Sequence, residues 1–279
     1  MSPSTSAVSF ARHPARHGIL WLREAAGMLA AARVPWLMLL LIYYLIQLLV
    51  SVVPFVGPLA MMALRPVFTV GFLAAAWTQE RGGRPEIAHL FRGFRTNLWA
   101  LIPIGLVLVG GTTLAVLATA LVDGGALLDA ITANTKSDES LATNGRVEAA
   151  MLFAVVCAMP ALLAVWFAPA LVVFQDCGPA QALSGSFRAA LANWRPVAVY
   201  GLMLFFYGAV LPGIAVALIA LVVPQSVGPY VVALTVVPYV FLFVAAQTIS
   251  DYVAYRDIFH AGDGGIGRPE DPAPTDSQA

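Results

Sequence analysis

The chain has 279 residues, 60% hydrophobic and only 11% charged, with fifteen basic and fifteen acidic side chains and no formal net charge. A soluble domain carries about 25% charged residues, so this composition, with a mean hydropathy of +0.83, excludes an ordinary soluble protein. It also excludes a disordered chain and a nucleic-acid binder. Two cysteines, Cys157 and Cys177, exclude a disulfide scaffold. What remains is an integral membrane protein of several helices.

About 20 apolar residues in a helix cross the hydrocarbon core, and six runs meet that length. They are Trp36 to Val53, Leu59 to Trp77, Leu98 to Val122, Ala149 to Phe174, Pro196 to Val223, and about Gly228 to Ile249. The first, second and sixth are the short ones. The first lies behind a long polar leader and reads as a retained span rather than a signal peptide. Residues 1–17 are expected to be a disordered leader, 18–260 a single six-span domain, and 261–279 a disordered acidic tail rich in proline and glycine.

Basic side chains favour the cytoplasmic side. Twelve of the fifteen fall on one side: Arg12, Arg16, Arg23 and Arg33 before the first span, Arg81, Arg84, Arg92 and Arg95 after the second, Arg188 and Arg195 after the fourth, and Arg256 and Arg268 at the end. Lys136 and Arg146 lie opposite, and Arg65 lies within a span. Both termini are therefore expected in the cytoplasm. The uncharged turns around Pro54 to Pro58 and Pro224 to Pro229 suit tight outer turns, and Asp123 to Glu148 is a long, net acidic outer loop.

A repeat of 96 residues superposes Phe91 on Phe187, Arg92 on Arg188, Asn97 on Asn193, and Gly105-Leu106 on Gly201-Leu202. Trp21-Leu22-Arg23, ending at Pro35-Trp36, is a looser third copy. Ile87, Leu90, Phe91 and Phe94 share a helix face, as do Leu183, Phe187 and Leu191. Pro85 and Pro179 suit a first helical turn, Asn97 and Asn193 a left-handed helix end, and Trp36, Trp99 and Trp194 the membrane interface. The fold class expected is all-α: an integral membrane six-helix bundle of three parallel hairpin repeats, each preceded by a short interfacial helix. Each return span carries a proline, Pro66, Pro169 or Pro238, and a repeated kink is expected.

Several of these motifs together have a family likeness. They are Trp21-Leu22-Arg23, Arg65-Pro66-Val67-Phe68-Thr69-Val70-Gly71-Phe72-Leu73, His89-Leu90-Phe91-Arg92-Gly93-Phe94, Trp166-Phe167-Ala168-Pro169-Ala170-Leu171-Val172, Ser186-Phe187-Arg188 through Trp194, and Tyr252-Val253-Ala254-Tyr255-Arg256-Asp257. The chain resembles, over about residues 17 to 260, an uncharacterised family of proteobacterial six-helix inner-membrane proteins. That family is distantly similar to the membrane domain fused to some glycerophosphodiester phosphodiesterases. The resemblance implies fold and location and carries no activity.

Few residues point to chemistry. The four histidines are His13, His17, His89 and His260; His13 and His17 have i,i+4 spacing, but Pro14 sits between them in a polar leader, so no metal site is expected. Cys157 and Cys177 are too far apart along a helix to pair, and both read as inert thiols. Asp263-Gly264-Gly265-Ile266-Gly267 lacks the strand and helix of a phosphate loop. Ser184-Gly185-Ser186 lacks the flanking glycines of a nucleophile elbow. Arg65 is the one charge well inside a span, a functional candidate by default. It either snorkels about 10 Å to the outer headgroups or faces the bundle as an anion contact. Arg256 can reach Asp251 or an anionic lipid. Gln47, Gln247, Tyr207 and Tyr239 either line a cavity or bond neighbouring helices.

The candidate lipid or anion contacts are Arg65, Arg92, Arg188 and Arg256, with no catalytic residue, cofactor or metal expected. The expected function is non-enzymatic, through binding of membrane lipids or other membrane proteins and not nucleic acid. A small transporter or channel for an anionic or lipid-like substrate is the alternative. The topology predicts that a Thr135→Cys thiol reacts with an impermeant reagent added to intact cells, whereas a Gly83→Cys thiol does not; labelling of the latter from outside would invert the orientation.

Overall fold

The computed structural model describes residues 8–132 and 145–260. The expectations for residues 1–7, the middle of the outer loop and the acidic tail fall outside the described residues. Helices run α1 His17–Ala31, α2 Arg33–Val50 and α3 Val56–Glu80. A 3-10 turn, Ile87–Phe91, leads into α4 Arg92–Arg95. Then come α5 Leu98–Ala118, α6 Ala120–Asp123, α7 Ala126–Thr132, α8 Gly145–Trp166, α9 Ala168–Phe174 and α10 Pro179–Ala192. The chain ends with α11 Trp194–Phe205, a π-helical turn Phe206–Val210, α12 Leu211–Val222 and α13 Gly228–Phe259. Among the described residues there is no strand.

Among the described residues, six helical runs are long and apolar enough to cross a membrane: Arg33–Val50, Val56–Glu80, Leu98–Asp123, Val147–Phe174, Trp194–Val222 and Gly228–Phe259. The second and sixth are not short, with 25 and 32 residues. At 1.5 Å per residue, α13 is about 48 Å long, well beyond a hydrocarbon core of about 30 Å. Its last turns, Tyr252 to Phe259, are buried by protein instead. They pack against α1 and the segment before it, at what we call the basal end.

That segment is not a disordered leader from residue 8 onward. The Ala11 amide donates to the Ile258 carbonyl at 2.7 Å, and the His13 amide donates to Asn193 Oδ1 at 2.8 Å. Asn193 Nδ2 donates back to the Ala11 carbonyl at 2.9 Å. Phe10 meets the edge of Phe259, ring centroids 6.5 Å apart. The polar composition suggested a free tail, but the arm has partners on α13 and at the α10–α11 junction that only the folded chain assembles.

The expected interfacial helices also differ from one another. Residues 87–91 form a 3-10 turn, whose three residues per turn bury Leu90 but leave Ile87 and Phe91 exposed. The turn lies along α3, where Gly71 faces Leu90 and Gly93 faces the Val67 carbonyl. A β-carbon at Gly93 would lie 2.1 Å from that oxygen, so only glycine allows this approach. In α10 the buried face is small: Ala182, Gly185, Ser186, Ala189 and Ala190. Leu183, Phe187 and Leu191 stay partly or fully exposed. Asn97 takes the left-handed conformation, φ 56°, but Asn193 does not, φ −106°. Gly105 abuts the Ala63 carbonyl whereas Gly201 faces open space. Residues paired by the 96-residue offset thus sit in different surroundings.

The prolines behave differently too. Pro66 and Pro238 stay within continuous helices, while the helix breaks at Phe167 before Pro169. An interrupted backbone inside a membrane needs new partners, and α10 supplies them. Ser186 Oγ accepts from the Phe167 amide at 3.0 Å and donates to the Leu163 carbonyl at 2.7 Å. One hydroxyl thereby replaces an i→i−4 bond of the helix. Removing it in Ser186→Ala leaves two buried backbone groups unpaired and is expected to destabilise by about 1–3 kcal/mol. The exposed Ser184→Ala change should lie within about 0.5 kcal/mol of wild type. Thermal unfolding in detergent compares the two.

Candidate functional site

Two interhelical cavities share one polar wall. The first, about 500 Å³, lies between α2, α3 and α13. It runs from Ser51 and Pro58, past Tyr43, Gln47 and Arg65, to Asp251. Along α2 it extends from Leu40 to Ser51, about 16 Å of helix. The second, about 630 Å³, lies between α3, α5, α8, α10, α11 and α13 and is mostly apolar, with Leu108, Leu162, Trp166 and Leu204 on its walls. Leu191 and Trp194, both largely exposed, stand at its rim. Arg65, Thr69, Gln247 and Asp251 line both spaces.

The wall is held by a hydrogen-bond network. Trp166 Nε1 donates to Asp251 Oδ1 at 2.8 Å, and the Tyr200 hydroxyl reaches the same oxygen at 3.3 Å. Tyr200 and Ser250 share a hydrogen bond of 2.6 Å, and Ser250 donates to the Gln247 carbonyl at 2.7 Å. Trp166 stacks on Tyr200 with centroids 5.4 Å apart, and Trp21 meets the edge of Tyr200 at 5.7 Å. The carboxylate is therefore fixed from α8 and α11 while its field reaches into the cavities. Arg65 forms no ion pair among the described residues and is exposed to the cavity space. Its guanidinium offers five donors in a rigid fork, which suits a carboxylate or phosphate.

The other candidate arginines have different surroundings. Arg92 and Arg188 lie exposed on α4 and α10. Arg256 forms no ion pair with Asp251 among the described residues and is only partly exposed. It pairs with Glu24 of α1 at 2.6 Å and with Glu80 of α3, to which Tyr252 also donates. Its charge is committed to tying three helices together. Nearby, Trp36 Nε1 donates to Gln79 Oε1 and Gln79 Nε2 to the Met28 carbonyl, each at 2.6 Å.

Gln47 and Gln247 face cavities, whereas the Tyr239 hydroxyl donates to the Tyr207 carbonyl at 2.7 Å. That carbonyl belongs to the π-helical turn ahead of Pro212, where the regular ladder is interrupted. Burial pushes the Cys177 thiol above its usual range, and Asp176 beside it pushes the same way, so little thiolate forms. Sequence reasoning found Arg65 by its solitary charge. It passed over Trp166 and Tyr200, which look like ordinary apolar positions, and Glu24 and Glu80, whose pairing with Arg256 spans most of the chain. His13, His17 and Asp257 also converge at the basal end.

Arg256→Leu is expected to destabilise the protein by roughly 1.5–3 kcal/mol through loss of charged hydrogen bonds. Arg92→Leu and Arg188→Leu should each shift stability by no more than about 0.5 kcal/mol. Thermal unfolding of the three variants in one detergent tests the ranking.

No protein-family model matches the chain, and no solved structure matches it. The probable inner membrane protein BTH_II0599 of Burkholderia thailandensis is 30% identical over 254 residues, covering 88% of this chain and 92% of that protein. With six apolar helices and this extent of likeness, the chain is a multi-pass membrane protein that belongs to the same inner-membrane protein family.

Proposed function

We propose that this protein is a non-enzymatic lipid-binding protein of the bacterial inner membrane, with both termini in the cytoplasm. It holds an anionic amphiphile between its helices. The observation that carries this reading is the shared wall: Arg65, which forms no ion pair within 4.0 Å among the described residues although its charge acts on Asp251, stands beside a polar cavity and an apolar one. An anionic headgroup satisfies the guanidinium from the first cavity, and acyl chain fills the second, where Leu108, Leu162 and Leu204 offer no polar competitor. Gln247 and Thr69 add hydrogen bonds to the head. The wall's carboxylate already accepts two hydrogen bonds, which favours an orienting role over acid–base chemistry. Within this reading the bundle is three parallel hairpins with interfacial helices, and exposed Arg92 and Arg188 touch anionic headgroups outside. Each such contact is worth about 1 kcal/mol.

Lipid extraction and mass spectrometry of protein purified in mild detergent test the proposal. Wild type should retain about one anionic phospholipid per chain. Loss of a charge-assisted contact worth roughly 1.5–3 kcal/mol should lower retention by Arg65→Leu about ten- to a hundredfold, at unchanged helical content. Equal retention by the variant would refute binding at the wall.

A second reading, transport of the same class of ligand, is favoured by one further observation. One cavity reaches the turn at Ser51 and Pro58, the other opens beside Leu191 and Trp194, and both end on the same four residues. Accelerated movement of a fluorescent anionic lipid between leaflets of vesicles holding wild type, abolished by Arg65→Leu, would favour transport. Retained lipid without such movement would favour binding alone.

A further inference from the structure

The basal end holds a cluster that the cavities do not use. The arm bends into α1 at Pro14, bringing the rings of His13 and His17 to a centroid separation of 4.4 Å with a 31° tilt. Both imidazoles lie against Asp257 on α13. His13 Nε2 donates to the Asp257 carbonyl at 2.9 Å and lies 3.8 Å from Asp257 Oδ1, so metal binding exchanges that hydrogen bond for the ion; His17 Nδ1 lies 2.7 Å from Asp257 Oδ2. One ligand atom from each residue lies within 4.8 Å of the other two. Zinc bound tetrahedrally at 2.0–2.2 Å holds adjacent ligand atoms about 3.3 Å apart. The observed separations bracket that value, so modest side-chain rotation closes the set.

Three other features point the same way. Trp21 Nε1 donates to Asp257 Oδ2 at 2.8 Å, the kind of outer hydrogen bond that orients a metal-binding carboxylate. The His13 amide is fixed on Asn193 and the Ala11 amide on Ile258, so the arm is already in place before any ion arrives. The three side chains are 13%, 20% and 24% exposed, which keeps them reachable from water. Glu24 and Glu80 are engaged by Arg256.

We infer that His13, His17 and Asp257 bind one divalent transition-metal ion of the zinc class. Two imidazoles and a carboxylate are the ligands, and a position is left open to water. Imidazole-rich sets of this kind select zinc and its neighbours over magnesium or calcium. The ion joins the N-terminal arm to the last turns of α13 and so strengthens an arm already docked over the α10–α11 junction. This site is independent of the lipid-binding proposal.

The test uses the full chain in detergent, purified with a tag free of histidine that is then removed, and zinc ion as the probe. Titration calorimetry should give one zinc per chain. His13→Gln keeps a hydrogen-bonding side chain but removes a ligand. It should weaken zinc binding by more than the roughly hundredfold that loss of an outer-shell partner can cause, with an unchanged circular dichroism spectrum. Asp257→Asn should do the same if it folds, and His13→Gln decides the matter if it does not. Zinc should also slow trypsin cleavage after Arg12 and Arg16 in wild type and not in His13→Gln. Absence of zinc binding by wild type, or equal affinity in His13→Gln, would overturn the assignment and leave the cluster a hydrogen-bonded clasp.

Discussion

Lipid tails are as apolar as leucine, so inside a bilayer there is no hydrophobic force to press helices together. The rest of this structure depends on that constraint. The large, fully buried side chains include Trp21, Trp36, Leu90, Phe167, Tyr252 and Tyr255. Most of them gather where α1, the arm and the ends of α3 and α13 meet. There burial from water is available, and full burial of a large apolar side chain contributes about 1.5–3 kcal/mol. The run Trp194–Val222, among the most apolar, is instead scarcely buried by protein. The bundle is built as a packed base from which lipid-facing helices extend.

That arrangement explains how polar groups are used. Within the spans, hydroxyls repair the backbone where proline disturbs it: Ser186 between Leu163 and Phe167, and Tyr239 at Tyr207. At the base, ion pairs and aromatic edges connect elements far apart in sequence. Arg256 joins α13 to α1 and α3, and Phe10, Phe167 and Tyr255 all contact Phe259. Between the base and the turn at Ser51 to Pro58, α2, α3 and α13 leave room for the first cavity, and the second lies on the other side of Arg65. The Trp166–Asp251–Tyr200 network keeps their common wall in shape.

Glycine and alanine mark where backbones approach. Gly105 on Ala63 and Gly93 on Val67 bring α5 and α4 against α3, the small-residue packing that membrane helices favour. Close contact there and open space around Arg65 coexist in one helix. Ala63 of α3 meets Gly105 of α5, and on another side of α3 Phe68 meets Tyr43 of α2. Those rings meet edge to face, 5.2 Å between centroids.

The sequence by itself determined the membrane location and the six apolar runs. These follow from length and hydropathy, which act locally and leave their mark in every window of the chain. It also singled out Arg65, because a lone charge among apolar residues is visible without a partner. It misjudged residues 87–97, since the choice between a 3-10 turn and an α-helix was made by the fit of Leu90 and Gly93 against α3. It missed the docked arm, the Glu24–Arg256–Glu80 bridge and the His13, His17 and Asp257 cluster, whose members lie up to 244 positions apart. The cavities and their wall were likewise decided by tertiary structure alone. A cavity is space that several helices fail to fill together, and no single segment encodes it.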